Sequence, residues 1–117
     1  MADKFKGKTI VGLSQKITII GKKRSKSVVA KVDTGATKGS IDSKLASSLQ
    51  LGPVIKTKLV KSAHGNEVRP VISADIKIKN KNIKADFTLA DRSHLKYSVL
   101  LGQNILKKGF IIDPSKK

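Results

Sequence analysis

The chain has 117 residues, 38% of them hydrophobic and only 3% aromatic, so its length fits one domain, 1–117, around a modest core of Ile, Val, Leu and Ala. It has no cysteine, which excludes a disulfide framework, thiolate zinc ligation and a cysteine nucleophile. Its 25 basic and 8 acidic residues leave a formal net charge of +17, which predicts attraction to polyanions.

No signal-like apolar run opens the chain, and nothing approaches the roughly 20 apolar residues that would span a bilayer. The expectation is a cytoplasmic protein without a membrane partner.

Short strand patterns come first: Lys8 to Leu13, then Lys16 to Gly21, then a third from Val28. The basic turn "GKKRSKS" between the last two reads as a hairpin connection. The third strand delivers Asp33 into "TGATKGS", which is turn chemistry. The period then changes. Ile41, Leu45 and Leu49 fall at i, i+4 and i+8, predicting a short helix capped by Ser40 or Asp42 and stopped at Gly52-Pro53.

The stretch "KTKLVKSAHGNEVRPVI" predicts a hairpin with its tip near His64-Gly65-Asn66. Ile72, Ala74, Ile76 and Ile78 then alternate with polar residues, as do Ile83, Ala85, Phe87 and Leu89, with "NKN" turning between them. These read as an antiparallel pair, half-buried. Ser98 to Leu101 is a buried strand, Gln103 to Lys108 one or two helical turns stopped by Gly109, and Phe110 to Ile112 a last strand before Asp113-Pro114. Many short strands with glycine turns favour a mostly β fold, a small barrel or sandwich with one or two short helices.

A carboxylate at a strand end, followed by a hydroxyl and two small residues, is held rigidly while another backbone can come close. That suits a pair of aspartates sharing one proton, one activating water and the other protonating a carbonyl. Alone, Asp-Thr-Gly is equally an ordinary Asx turn. Its context is more specific. "AKVDTGAT" (30–37), "VRPVI" (68–72), "VLLGQNIL" (99–106) and "GFIIDP" (109–114) follow one another in an order that resembles the retroviral-type aspartic peptidases, and more closely the retropepsin-like proteins labelled ATP-dependent zinc proteases.

The resemblance implies a small closed barrel of the retropepsin type and an aspartic endopeptidase. Asp33 would be the catalytic aspartate, Thr34 would bind the active-site loops together through its hydroxyl, and Gly35 and Ala36 would floor the cleft. Lys61 to Pro70 would be a flap, with Ala63, His64, Gly65, Asn66 and Arg69 toward substrate. Leu100, Leu101 and Gly102 would pack under the active-site loop. Only one such motif is present, so the second aspartate would come from another copy in a homodimer acting on a peptide or protein. Relatives are discussed beside enzymes that add glutamates to proteins, which would suit a basic cleft and an acidic, glutamate-rich substrate. The flap "SAHGNEVRP" departs from the glycine-rich, apolar viral pattern.

No metal or cofactor is expected. His64 and His94 sit in turn-like segments with no zinc-binding spacing, and "GATKGS" lacks the Gly-Lys-Ser/Thr ending of a phosphate loop. Asp113, before a proline, reads as a strand-end cap. The alternative function is a non-catalytic basic module on the same fold, binding nucleic acid or the ribosome through phosphate contacts; the scarcity of aromatics argues against base stacking.

Overall fold

A computed structural model describes residues 4–63 and 65–117. The first strands are β1 (Lys4–Phe5), β2 (Lys8–Val11), β3 (Ser14–Ile20) and β4 (Ser25–Val32). β3 and β4 form the expected hairpin, in register Ile17 to Val28 and Ile19 to Lys26. Alternation along β3 buries Ile17 and Ile19, and along β4 Ala30 and Val32.

After the Asp33 loop comes a strand the periodicity did not reveal, β5 (Gly39–Asp42). All four of its residues are buried. A strand covered on both faces loses the period-two signal, and Ile41 served equally well in a helical spacing. Helix α1 (Ser43–Ser48) therefore starts later than expected. Ser40 lies inside β5, and the cap is Asp42, whose Oδ2 accepts from the Leu45 N–H at 3.3 Å.

The long hairpin is β6 (Val54–Ser62) and β7 (Gly65–Ile78), and β7 runs on to pair with β8 (Lys81–Ala90). The β7–β8 register sets Ile76 opposite Ile83 and Ile72 opposite Phe87, matching the alternation in the sequence. β9 (Val99–Leu101), α2 (Gln103–Leu106) and β10 (Phe110–Ile112) complete the chain.

The sheet order β3-β4-β9-β5-β8-β7 closes on itself, because β3 also pairs with β7 through Thr18–Ile20 and Asp75–Lys77. The result is a closed six-stranded barrel, mostly β, with two short helices. β6 hangs on the first half of β7 outside the ring. Phe87, Ile17, Ile19, Ile41, Ile72, Ile76, Leu101 and Ile105 fill the interior, the aliphatic core that the composition requires. A separate three-stranded sheet joins β1, β2 and β10, with β10 parallel to β2. Among the described residues no helix is long and apolar enough to cross a membrane.

Two local contacts fix the ends of this frame. A Cβ added at Gly102 would lie 2.4 Å from the Lys38 carbonyl carbon and 2.8 Å from the Gly39 nitrogen. Both are backbone atoms that cannot swing away. At the other end, Asp113 Oδ1 accepts from the Ser115 N–H at 3.0 Å and from its hydroxyl at 2.6 Å, the capping turn expected there. The Ser115 hydroxyl, then its N–H, holds the Asp113 carboxyl below the ordinary aspartate value of 3.8.

Two outcomes follow. Gly102→Ala should destabilise the fold by roughly 1–3 kcal/mol or more, read from the urea midpoint; an unchanged midpoint would show that the Lys38–Gly39 backbone yields freely. Ser115→Ala should raise the Asp113 pKa toward the ordinary value in a carboxyl-carbon NMR titration. The sign is that of a depressed carboxyl: its contribution is present above the unfolded value and is lost as pH falls through the folded one, so in the variant the contribution is smaller and its loss is complete at a higher pH.

Candidate active site

Asp33 leaves the end of β4 with its backbone already fixed. The Asp33 N–H donates to the Leu101 carbonyl at 3.0 Å, continuing the parallel β4–β9 ladder in which Val32 faces Leu101. The Asp33 side chain turns back on its own loop, Oδ1 accepting from the Gly35 N–H at 2.9 Å. That is an Asx turn, closed a second time by the Ala36 N–H donating to the Asp33 carbonyl at 3.3 Å.

The start of α2 holds the other side of the loop. The Gln103 and Asn104 N–H groups donate to the carbonyls of Ala36 and Thr37 at 2.8 and 3.0 Å, and Gln103 Nε2 donates to the Thr34 carbonyl at 2.7 Å. Asn104 spans two strands: its Oδ1 accepts from the Gly39 N–H and its Nδ2 donates to the Asp86 carbonyl, both at 2.9 Å. Thr34 is exposed, and its hydroxyl makes no hydrogen bond among the described residues.

Leu100, Leu101 and Gly102 thus lie directly against the loop that carries Asp33. A cleft of about 390 Å³ opens beside it, lined by Gly35 to Lys38, Ser40, Thr88, Leu100 and Arg92 on the barrel side and by Lys58 to Lys61 and Arg69 from the β6–β7 hairpin. Asp33 adjoins this lining, two residues ahead of Gly35. Of the flap residues expected from sequence, Arg69 faces the cleft. Ala63, Gly65 and Asn66 are exposed near the hairpin tip, and His64 lies outside the described residues. His94 is exposed in the loop after β8. Among the described residues no cluster of metal-ligating side chains occurs.

The cleft is cationic: Lys38, Lys58, Lys61, Arg69 and Arg92 all line it. Arg69 donates from Nε and Nη2 to Glu67 Oε2 at 3.2 and 3.1 Å. Lys38 stands 4.0 Å from Asp86, a carboxylate shared with Lys56. Arg92, in the loop after β8, was not singled out by sequence reasoning. It is a lone arginine in a polar stretch, and no spacing rule points to it. Its N–H donates to buried Asp42 Oδ1 at 2.7 Å and its Nε to the Tyr97 carbonyl at 3.0 Å. Burial is the main influence lowering its pKa, and Arg69 adds to it; Asp33 and Asp42 pull the other way. A guanidinium stays charged under such pressure.

The arrangement is therefore a rigid carboxylate loop beside a positively charged cleft overhung by a hairpin. Residues 40–117 match the profile of the family described as RimB-like, retropepsin-like aspartic endopeptidase RimB. The chain belongs to that family. The matched span takes in Ser40, Thr88, Arg92 and the Leu100–Gly102 turn.

Solved structures share the fold. A Legionella pneumophila protein of unknown function aligns at TM-score 0.63 and 21% identity, over 91% of this chain and 93% of that one. The simian foamy virus protease aligns at 0.61 and 20%, over 80% and 91%. The EIAV protease in complex with the inhibitor HBY-793 aligns at 0.65 and 21%, over 80% and 84%. A probable alpha-L-glutamate ligase of Desulfotalea psychrophila is 34% identical over 64 residues, 54% of this chain but only 14% of that protein's length.

Because Asn104 carries two bonds that water reaches poorly, Asn104→Ala should cost about 1–3 kcal/mol in urea unfolding. A loss within error of zero would mean that solvent replaces both.

Proposed function

We propose that the chain is an aspartic endopeptidase that works as a homodimer, each copy contributing Asp33. The observation that carries this reading is the Asp33 loop. Its carboxylate accepts from the Gly35 N–H, and its backbone N–H is tied to the Leu101 carbonyl at the end of a barrel strand, beside a cleft lined on one side by a hairpin. Membership in a family of retropepsin-like endopeptidases supports it, as does the likeness of fold to two viral proteases.

Asp33 is the one carboxylate at this loop, and no Asp or Glu lines the cleft among the described residues. Peptide hydrolysis of this kind needs two: one takes a proton from water as it attacks the carbonyl carbon, and the other gives a proton to the carbonyl oxygen. A twofold axis beside Asp33 supplies the second from an identical chain. The exposed Thr34 hydroxyl, unengaged among the described residues, would then bond across to the partner's loop.

The cationic lining favours acidic peptides as substrates, and a relative named as a glutamate ligase points the same way. The flap role of Ala63, His64, Gly65, Asn66 and Arg69 belongs to this proposal.

The test is cleavage of a peptide library that includes glutamate-rich sequences. Wild type should cut, with a bell-shaped pH–rate profile that falls when the aspartate pair is fully protonated or fully ionised. Asp33→Asn should lose at least about 100-fold in rate. Mixed with wild type, it should also suppress activity, because heterodimers hold one aspartate. Equal cutting by the variant, or titration without suppression, would refute the shared site.

A further inference from the structure

We propose that Arg92 is the specificity-determining residue of the cleft, a fixed fork that anchors one side-chain carboxylate of the bound peptide. The inference rests on reading this cleft as a peptide-binding site and goes further by naming the group that selects.

Five cations line the cleft, but they are not equivalent. Arg69 already spends Nε and Nη2 on Glu67, within its own strand. Lys38 shares Asp86 with Lys56. Lys58 and Lys61 are point charges on flexible stems, strongly hydrated and without a set direction.

Arg92 differs in being held at two points. Its N–H is bonded to Asp42, itself buried and fixed as the cap of α1, and its Nε is bonded to the Tyr97 carbonyl. The Leu95 N–H closes a turn on the Arg92 carbonyl at 3.0 Å. With Nε engaged, the plane of the guanidinium is set. Its terminal nitrogens make no hydrogen bond among the described residues, while the residue is partly buried in the cleft wall. A planar pair of donors, fixed and unspent, matches the two oxygens of a carboxylate.

A second observation lies in the same wall. Ser40 is 5% exposed and lines the cleft, yet its hydroxyl has no hydrogen-bond partner among the described residues. Its neighbour across the β5–β8 ladder, Thr88, donates to the Gly39 carbonyl instead. An orphaned buried hydroxyl lining the same cleft as an unspent guanidinium fits a polar wall that is completed from outside the chain. Side-chain carboxamides have the same shape as carboxylates but no charge, so the anchor should separate Glu from Gln sharply.

The experiment measures binding rather than turnover, so that it stands whether or not the chain cleaves peptides. In the Asp33→Asn protein, hexaglutamate and hexaglutamine peptides are titrated by calorimetry. Hexaglutamate should bind at least about tenfold more tightly. Adding Arg92→Gln should weaken hexaglutamate about tenfold or more and leave hexaglutamine unchanged. Arg92→Lys keeps the charge, loses the fork, and should still weaken hexaglutamate several-fold; it decides the matter if the glutamine variant does not fold. Lys26→Gln, an exposed charge outside the cleft, is the control for diffuse attraction and should change little.

Three results would overturn the proposal: equal binding of the two peptides, Arg92→Lys binding as wild type does, or Lys26→Gln costing as much as Arg92→Gln. Absence of peptide cleavage by wild type would instead count against the endopeptidase reading and leave the anchor to these titrations.

Discussion

The close approach of Gly102 to the backbone of Lys38 and Gly39 is the constraint on which the site depends. No side chain fits between them. Because β9 can come this near, it slots between β4 and β5, parallel to one and antiparallel to the other. From that position the Leu101 carbonyl receives the Asp33 N–H, and the first turn of α2 delivers the Gln103 and Asn104 N–H groups to Ala36 and Thr37. The loop that carries Asp33 is short and polar, made of residues that alone would wander. It is rigid because one strand passes beneath it at backbone contact distance.

Rigidity would have a chemical use in the proposed shared site. A carboxylate that is to share a proton with a second one must keep its place while its partner approaches, since a shift of an ångström breaks the short bond between them. The Asx turn through Gly35 takes up one oxygen of Asp33 and leaves the other outside the turn. Cations line the neighbouring cleft, so its electrostatic surroundings favour a negatively charged ligand.

Much of this was legible in the sequence. The alternation of Ile72–Ile78 and of Ile83–Leu89 marked an antiparallel pair that the structure keeps, because both strands have one wet face and a tight turn between them. The Asp33 loop and the Leu100–Leu101–Gly102 turn were recognisable by their order along the chain, though their contact joins segments about 65 residues apart and no local pattern predicts it. β5 was hidden because burial on both faces erases the alternation. The barrel's closing pair, β3 with β7, and the parallel β2–β10 ladder were invisible for a related reason: neither leaves a turn signature. Arg92 was missed because its distinction is not its type. One of 25 basic residues, it matters through Asp42 and Tyr97, which only the folded chain brings to it.

Asp42 joins these threads. One of its oxygens caps α1 and the other holds the Arg92 N–H, so the same buried carboxylate starts a helix and positions a cleft cation. Its own N–H donates to the Ser98 carbonyl, one residue before β9 begins. The strand that fixes Asp33 and the cap that fixes Arg92 are therefore neighbours on a single pair, β5 and β9. On the proposed reading, chemistry and selection fall on different loops but refer to one rigid support. Such a division lets a loop such as 91–98 vary what the cleft accepts without disturbing the aspartate. It also separates the uses of the positive charge. Five basic residues line the cleft; the other 20 lie elsewhere on the chain, and a net charge of +17 is by itself no guide to which of them meets a ligand.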